Sequence, residues 1–370
     1  MQEKMTNIGL KGEDIRIIPV KIAGIKRIVD NLLENLSAKQ KLVVSSRFGI
    51  SSGEPKTLEA IGKNLNITRE RVRQIEADAI KALRKSEKNE ELKRLIETIQ
   101  EIVKEKGGIV PVGILTAEVF DRYFNEQKFS NNEAQMTEVL FFLADLKKEK
   151  GNKEIKDSWS IAGFDKKYFN SIVGLLENIF DNSKELYSEE EILKKIDHTD
   201  APQKHPELKP EHILNFLEVS KKFGKNVFSD WGKAKWPLIR PRGVREKATL
   251  VLLKRKKPLH FRDISRLIAE QGLSDKKVHP QTVHNELIRD KRFVLVGRGT
   301  YALREWGYEE GTVKEIIVSI LNSVDGFLSK ENLISSVLKK RKVKKATIAV
   351  NLADKNIFEK VKGGYKLKSK

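Results

Sequence analysis

Two stretches of the chain run through the same order of patterns. In residues 245–306, REKATLVLLKRKKPLHFRDISRLIAEQG reads as two amphipathic helices, the second opening after Pro258. HPQTVHNELIRD reads as a third, with Pro280 in its first turn and Val283 and Leu287 facing inward. RFVLVGRGTYALREW then gives a strand, a glycine turn and a strand. Residues 312–367 repeat the order with TVKEIIVSILNS, FLSKENLISSVLKK, VKKATIAVNLADK and IFEKVKGGYKL. Looser versions occupy 92–162, ending in IKDSWSI, and 166–239, ending in NVFSDWGKAKWPLI. Three helices followed by a β-hairpin is the winged-helix plan. The glycines of RGTY and KGGY follow apolar strand-like runs, so they read as hairpin turns and not as phosphate cradles.

Residues 36–85 follow a different plan. SAKQKLVVSSRF is a helix running to about Arg47, with Ser37 as its N-cap, and Gly49, Gly53 and Pro55 then break the chain. TLEAIGKNL is a short helix capped by Thr57, with Leu58, Ile61 and Leu65 on one face. After the tight turn NIT, Thr68 caps TRERVRQIEADAIKALR. Arg71 stands where a capping box would carry Glu or Gln, so this is a cap without the box. Val72, Ile75, Ala79 and Leu83 form the inner stripe of that helix. Two short helices joined by a tight turn make a helix-turn-helix, whose second helix enters the major groove. With the stripe buried, Arg69, Glu70, Arg73 and Gln74 project outward. Arg can pair with guanine, Gln with adenine, and Glu can accept from cytosine. The helix N-termini at Thr57 and Thr68 offer N–H groups to phosphates. The alternative is a surface helix laced by Glu–Arg pairs three and four residues apart.

This segment resembles region 4 of the primary sigma factors of bacterial RNA polymerase. The resemblance covers residues 36–85 and rests on RFGI, TLEAIG and TRERVRQIEADAIKALRK. It implies a domain that reads the promoter −35 element and sits on the flap of the polymerase β subunit. It places base contacts on Arg69, Glu70, Arg73 and Gln74, and phosphate contacts on Lys39, Thr57 and Leu58. Two positions depart from the family: Lys39 stands where Arg is typical, and Asp78 where a basic residue is usual, which puts activator contact in doubt. Only some 36 residues precede the match, so domains that melt the −10 element or bind the polymerase clamp are not expected there. The chain is therefore not expected to initiate transcription alone.

Residues 243–308 resemble the HARE helix-turn-helix family through KPLHFRDISRLI, VHPQTVHNELIRD and FVLVGRGTYAL. That family is linked to chromatin proteins, restriction systems and the delta subunit of some bacterial RNA polymerases. Here the exposed face of the third helix would carry Gln281, Thr282, Asn285 and Arg289, and the wing Arg298. In the last repeat, Lys344, Lys345 and Thr347 hold the matching places. Either set could meet DNA or protein.

Charge narrows the partners. The 370 residues carry a formal net charge of +20, a surplus that points to an anionic partner, most commonly nucleic acid. A membrane surface is the rival, but no apolar run approaches the roughly 20 residues that span a bilayer. From Lys233 to Arg262 there are eleven basic residues and one acid, and from Lys339 onward twelve and two; from Asp181 to Glu218 ten acids face five bases. The basic runs should add phosphate contacts. The acidic stretch should meet protein or hold spacing.

There is no cysteine, hence no disulfide, thiolate zinc finger or cysteine nucleophile. His279 and His284 lie close in VHPQTVHNE but lack a cysteine or paired carboxylates, so they make a poor metal site. No GxSxG, Walker loop, HExxH or nuclease-like carboxylate cluster occurs, and MQEKMTNIGL has no signal-peptide core. The expectation is a mainly α chain with small β-hairpin wings: an N-terminal helix-turn-helix in 1–89, then winged-helix-like domains in 90–165, 166–240, 241–309 and 310–370. No enzyme activity, cofactor, metal or membrane association is expected, and the location is cytoplasmic, with the nucleoid. The expected role is a DNA-binding regulator of transcription that associates with RNA polymerase. Two alternatives stay open, a polymerase accessory or anti-sigma-like docking protein and the DNA-targeting part of a restriction or defence system. Oligomeric state is not legible.

Overall fold

The computed structural model describes residues 24–50, 53–85, 90–324 and 326–368. They pack as two compact units: the described residues up to Ile172 together with Glu207–Ser220, and Val173–Pro206 together with Lys221 onward.

The first unit opens with α1 (Ile25–Glu34), α2 (Ala38–Phe48), α3 (Leu58–Leu65) and α4 (Arg69–Arg84). Ser37 caps α2 by accepting from the Gln40 N–H, and the Gln40 side chain reaches back to complete a capping box. Thr57 and Thr68 cap α3 and α4, each accepting at 3.1 Å from the N–H three residues on. The turn between α3 and α4 is made by Asn66, whose left-handed φ of 51° ends α3.

The chain continues through α5 (Glu90–Glu105), β1 (Ile109–Pro111), α6 (Val112–Val119) with a π-helical turn at Phe120–Phe124, α7 (Asn131–Leu143), β2 (Lys147–Glu149) and β3 (Ser158–Ser160). In α5, Leu92, Leu95, Ile96, Ile99, Ile102 and Val103 are buried, the spacing of one helix face. The strands form an antiparallel sheet in the order β1-β3-β2. One hydrophobic core runs from α1 through Phe48, Ala79 and Leu83 to α5, α6, α7 and Trp159. The helix-turn-helix keeps only a small core of its own, from Val43, Ile61, Val72 and Ile75.

Three further repeats follow along the chain. The first comprises α8 (Lys166–Ser183), α9 (Glu189–Asp197), α10 (Ala201–Lys204), α11 (Pro210–Val219), β4 (Phe223–Lys225) and β5 (Trp231–Lys233). The next has α12 (Val244–Arg255), β6 (Leu259–His260), α13 (Phe261–Glu270), α14 (Pro280–Arg289), β7 (Phe293–Gly297) and β8 (Thr300–Leu303), closed by a 3-10 turn at Arg304–Trp306. The last has α15 (Val313–Asn322), α16 (Lys330–Lys340), α17 (Lys345–Leu352), β9 (Phe358–Val361) and β10 (Gly364–Leu367).

All four repeats share one topology. A short extended piece after the first helix pairs antiparallel with the final strand: β1 with β3, Tyr187 with Trp231, β6 with β8, and Leu328 with Tyr365. Two of these pieces are single bridges, too short to leave a periodic signal. The sequence reading placed Leu259 and His260 at the head of a helix. They form β6 instead, and α13 begins at Phe261 with His260 as its N-cap. The last two repeats have cores of their own, around Leu250, Ile264, Val283, Leu287 and Tyr301 in one, and around Ile316, Leu333, Ile348 and Phe358 in the other.

Helix α11 belongs to the first unit. Asn215 Nδ2 donates to the carbonyls of Lys106 and Ile109 at 2.7 and 2.6 Å. Gly107, at φ +85°, lets Phe216 close in: a Cβ there would sit 2.8 Å from the ring. His212 is buried beside this contact, with Nδ1 2.8 Å from the Tyr168 hydroxyl. Burial holds the imidazole below its ordinary range; Lys209 adds to this, while Glu211 and Glu207 oppose it. The folded chain thus keeps His212 neutral where the unfolded chain, titrating near 6.5, takes up a proton. Stability from this group is complete above about pH 6.5 and falls as pH drops below it. Thermal melts at pH 7.5 and 5.5 should show the wild type losing a few degrees at the lower pH, and His212→Phe losing less. Equal shifts in both proteins would count against this account.

Among the described residues, no helix is long and apolar enough to cross a membrane.

Candidate nucleic-acid interface

The exposed face of α4 is set by what its other face buries. Val72, Ile75, Ala79 and Leu83 are the buried residues of the helix, the stripe that the spacing predicts. Arg69, Glu70, Arg73 and Gln74 are exposed at its N-terminal half. Gly62 sets the approach of α3 to the turn, since a Cβ there would stand 2.7 Å from the Ile67 carbonyl oxygen. Arg47 locks the frame from α2: its Nε lies 3.2 Å from a carboxylate oxygen of Glu76 on α4, and its Nη1 donates to the Lys56 carbonyl at 3.1 Å. The helix that would enter a groove is thereby fixed against the segment leading into α3.

The exposed residues are paired with one another. Arg73 donates to Glu70 in a two-point contact, Nη2 to Oε1 at 2.7 Å and Nε to Oε2 at 3.0 Å. The Arg73 guanidinium holds the Glu70 carboxyl below its usual range, chiefly through that hydrogen bond. Arg71 donates to Gln74 Oε1 at 3.0 Å. Glu70, Arg73 and Gln74, three of the four residues expected to face bases, are thus also the ones that lace the helix surface. At exposed positions such pairs are weak and readily exchanged.

Thr57 and Thr68 are exposed at the starts of α3 and α4, Lys39 is exposed in the first turn of α2, and Leu58 is half-buried on the small core. Asp78 is exposed on α4. The opposite side of the module is covered. Phe142 of α7 meets Phe48 edge-on at 5.4 Å, and Arg84 donates to the Phe142 carbonyl and to Asp145, both at 2.9 Å. Sequence reasoning missed this docking, because α7 reads as one more amphipathic helix.

In the third repeat Gln281, Thr282, Asn285, Arg289 and Arg298 are all exposed, with Gln281 Nε2 3.3 Å from Asn285 Oδ1. Helix α14 is held by Arg245 of α12, whose Nε donates to Glu286 at 2.5 Å. His279 is the N-cap of α14, and His284 stacks between Phe261 and Tyr301, with ring centroids at 4.6 and 5.8 Å. His284 is thus packed into this repeat, whereas the His279 side chain is exposed and makes no capping hydrogen bond. In the last repeat Lys344, Lys345 and Thr347 are exposed.

Part of the acidic stretch is paired with lysines that follow it in the chain. Asp181 pairs with Lys233 at 2.5 Å and Glu189 with Lys225 at 2.7 Å, so part of its charge is neutralised within its own unit.

Comparison with known proteins agrees with both resemblances. Residues 32–85 match the family described as Sigma-70, region 4, and residues 243–306 match the HARE-HTH family, a helix-turn-helix domain described for ASXL and restriction endonucleases among others. RNA polymerase sigma factor SigA of Microcystis aeruginosa is 46% identical over 68 residues, 18% of this chain and 16% of the relative. RNA polymerase sigma factor RpoD of Helicobacter pylori (strain ATCC 700392 / 26695) is 51% identical over 61 residues, 16% of this chain and 9% of the relative. SigA of a Bacillus species is 38% identical over 73 residues, 20% of this chain and 19% of the relative. The chain spans less than a fifth of the length of these relatives. What it shares with them is one domain, a sigma-70 region 4 helix-turn-helix, and further along this chain carries a separate HARE-type winged helix.

Proposed function

We propose that the chain is a DNA-binding regulator of transcription that reads a promoter −35-like element through α4 and associates with RNA polymerase. The observation that carries this reading is the exposed set Arg69, Glu70, Arg73 and Gln74, held at the N-terminal half of a capped helix by the Arg47–Glu76 pair. Those side chains have the donor and acceptor patterns of major-groove base edges. Lys39, Thr57, Leu58 and Thr68 would fix register on the phosphates. Gln281, Thr282, Asn285, Arg289 and Arg298 form a second polar face on the HARE-type repeat that would meet DNA or a protein partner. Association with polymerase, on the β flap, is supported by the similarity to sigma factors over region 4 alone.

Docking without DNA reading has less support, because the apolar back of the helix-turn-helix is already packed on α7. Binding of the purified chain to a TTGACA duplex and to a scrambled duplex, across a salt series, separates the readings. Tighter binding to TTGACA at every salt concentration is the expected result. Equal binding to the two duplexes would remove the base-reading role, and co-purification of polymerase in that case would favour docking.

A further inference from the structure

The four repeats differ in what covers their third helix. In the first repeat, α7 buries Met136, Thr137, Val139, Leu140, Phe141 and Leu143, most of them in the core that its own repeat shares with the helix-turn-helix. In the second, α11 buries most of its length, with Asn215 and Phe216 on the turn that leads into β1. In the third and fourth, only two residues of each helix are buried: Val283 and Leu287 in α14, Ile348 and Leu352 in α17. Two repeats thus use the helix to hold the chain together, and two leave it open.

The two open helices carry different chemistry. The exposed side of α14 carries amides, a hydroxyl, a single arginine and the apolar Ile288. Around α17 the exposed side chains are Lys344, Lys345, Ala346, Thr347 and Val350, with Lys360 and Lys362 on the wing formed by β9, β10 and their turn. Lys339 and Lys345 line one groove, of which Glu331 is an acidic wall. Elsewhere in the segment 339–368 the acids are occupied: Asp354 pairs with Lys314 at 2.6 Å and Glu359 with Lys366 at 3.2 Å. Lys344, Lys345, Lys360 and Lys362 have no carboxylate partner among the described residues.

We propose that the last repeat, residues 312–367, grips the phosphate backbone of duplex DNA independently of sequence, giving the chain a second duplex-binding surface. The exposed start of α17 offers point charges and small side chains, and the one amide of the helix, Asn351, is half-buried with its Nδ2 donating to the Thr347 carbonyl at 2.7 Å, so it is not free to fork onto a base edge. Lysines on both the helix start and the wing can straddle a groove and reach the phosphates on either side. An anionic membrane is a poorer fit, because the large apolar groups exposed on this repeat are Val350 on the helix and Phe327 beside the wing turn, two isolated side chains and not the continuous apolar face that inserts. This surface does not depend on what α4 reads, and its test can be kept separate.

The full chain is titrated with a duplex that lacks any −35-like sequence, across a salt series. It is compared with the Lys344→Ala/Lys345→Ala/Lys360→Ala/Lys362→Ala variant and with the same four positions changed to Arg. Each phosphate contact contributes about 0.9 to the slope of log affinity against log salt. The alanine variant should lose about three to four from that slope, and the arginine variant should keep it. Any preference for TTGACA over a scrambled duplex should be the same in all three proteins. An unchanged slope in the alanine variant would overturn the proposal. So would a loss confined to vesicles of anionic lipid, or to single-stranded RNA, with duplex binding intact. If the wild type shows no TTGACA preference but the slope still falls, the reading of α4 fails and this surface stands.

Discussion

Trp159→Ala should destabilise the first unit by about 3–5 kcal/mol, the usual cost of removing a large aromatic from a core. The indole lies on the central strand of the first sheet and is fully buried. Its ring meets Phe142 edge-on at 4.8 Å and Phe141 at 5.4 Å, and Phe142 in turn meets Phe48 of α2. That line of rings joins the wing of the first repeat to the helix-turn-helix. The module's private core has four buried residues, far too few to fold alone. The loss should therefore spread: hydrogen-exchange protection in α3 and α4 should fall together with that in α5 and α7. Trp159→Phe keeps one aromatic ring in the site and leaves a smaller cavity, so it should cost clearly less than the alanine variant. Denaturant titrations with exchange read by segment decide the matter. If α3 and α4 stay protected in Trp159→Ala while α5 and α7 lose protection, the helix-turn-helix is not leaning on the repeat beside it.

That dependence could not be read from the chain. The spacing of Val72, Ile75, Ala79 and Leu83 gives the buried stripe of α4, and Val283 and Leu287 give that of α14, because periodicity records which side of a helix is apolar. It does not record what the apolar side meets. Ala79 and Leu83 belong to the core shared with α7, whereas Val72 and Ile75 belong to the small local one, yet all four read alike. The bridging residues Tyr187 and Leu328 were invisible for another reason: one residue has no period, and its pairing with the last strand is set by tertiary packing. The threonine caps of α3 and α4 were legible because capping is local chemistry. The box at Ser37 and Gln40 was equally local and was overlooked.

Charge was legible in amount but not in place. The run of acids after Asp181 suggests a surface of its own, yet Lys225 and Lys233 reach back to Glu189 and Asp181. After Lys339, Lys340 pairs with Glu309 and Lys366 with Glu359, while Asp354 is taken by Lys314, which leaves Lys344, Lys345, Lys360 and Lys362 without a carboxylate partner among the described residues. The exposed face of α4 shows the same limit on a smaller scale. Its residue types are clear from the sequence, but their pairing in the free protein is a matter of rotamers.

That pairing has a measurable consequence. On the proposed reading, in which Arg73 pairs with a guanine through two hydrogen bonds, Arg73→Ala should reduce binding to TTGACA by roughly ten- to a hundredfold, with a smaller loss on a scrambled duplex. Folding stability should hardly change, since Arg73 and Glu70 are exposed and their ion pair is screened by water. Glu70→Gln acts in the other direction. It frees the Arg73 guanidinium and removes a carboxylate from a face that approaches phosphates, so affinity for both duplexes should rise. The rise should be greater on the scrambled duplex, because there the Glu70 charge repels and reads nothing, and the preference should narrow. The double variant should behave as Arg73→Ala with only the electrostatic gain added. The two residues share one contact, so their effects on preference cannot add. Duplex titrations of the four proteins at one salt concentration test this. Full TTGACA preference in Arg73→Ala would mean that Glu70 and Arg73 lace the helix and do nothing more, whereas additive losses of preference in the double variant would mean that each side chain reads the duplex on its own and that they share no contact.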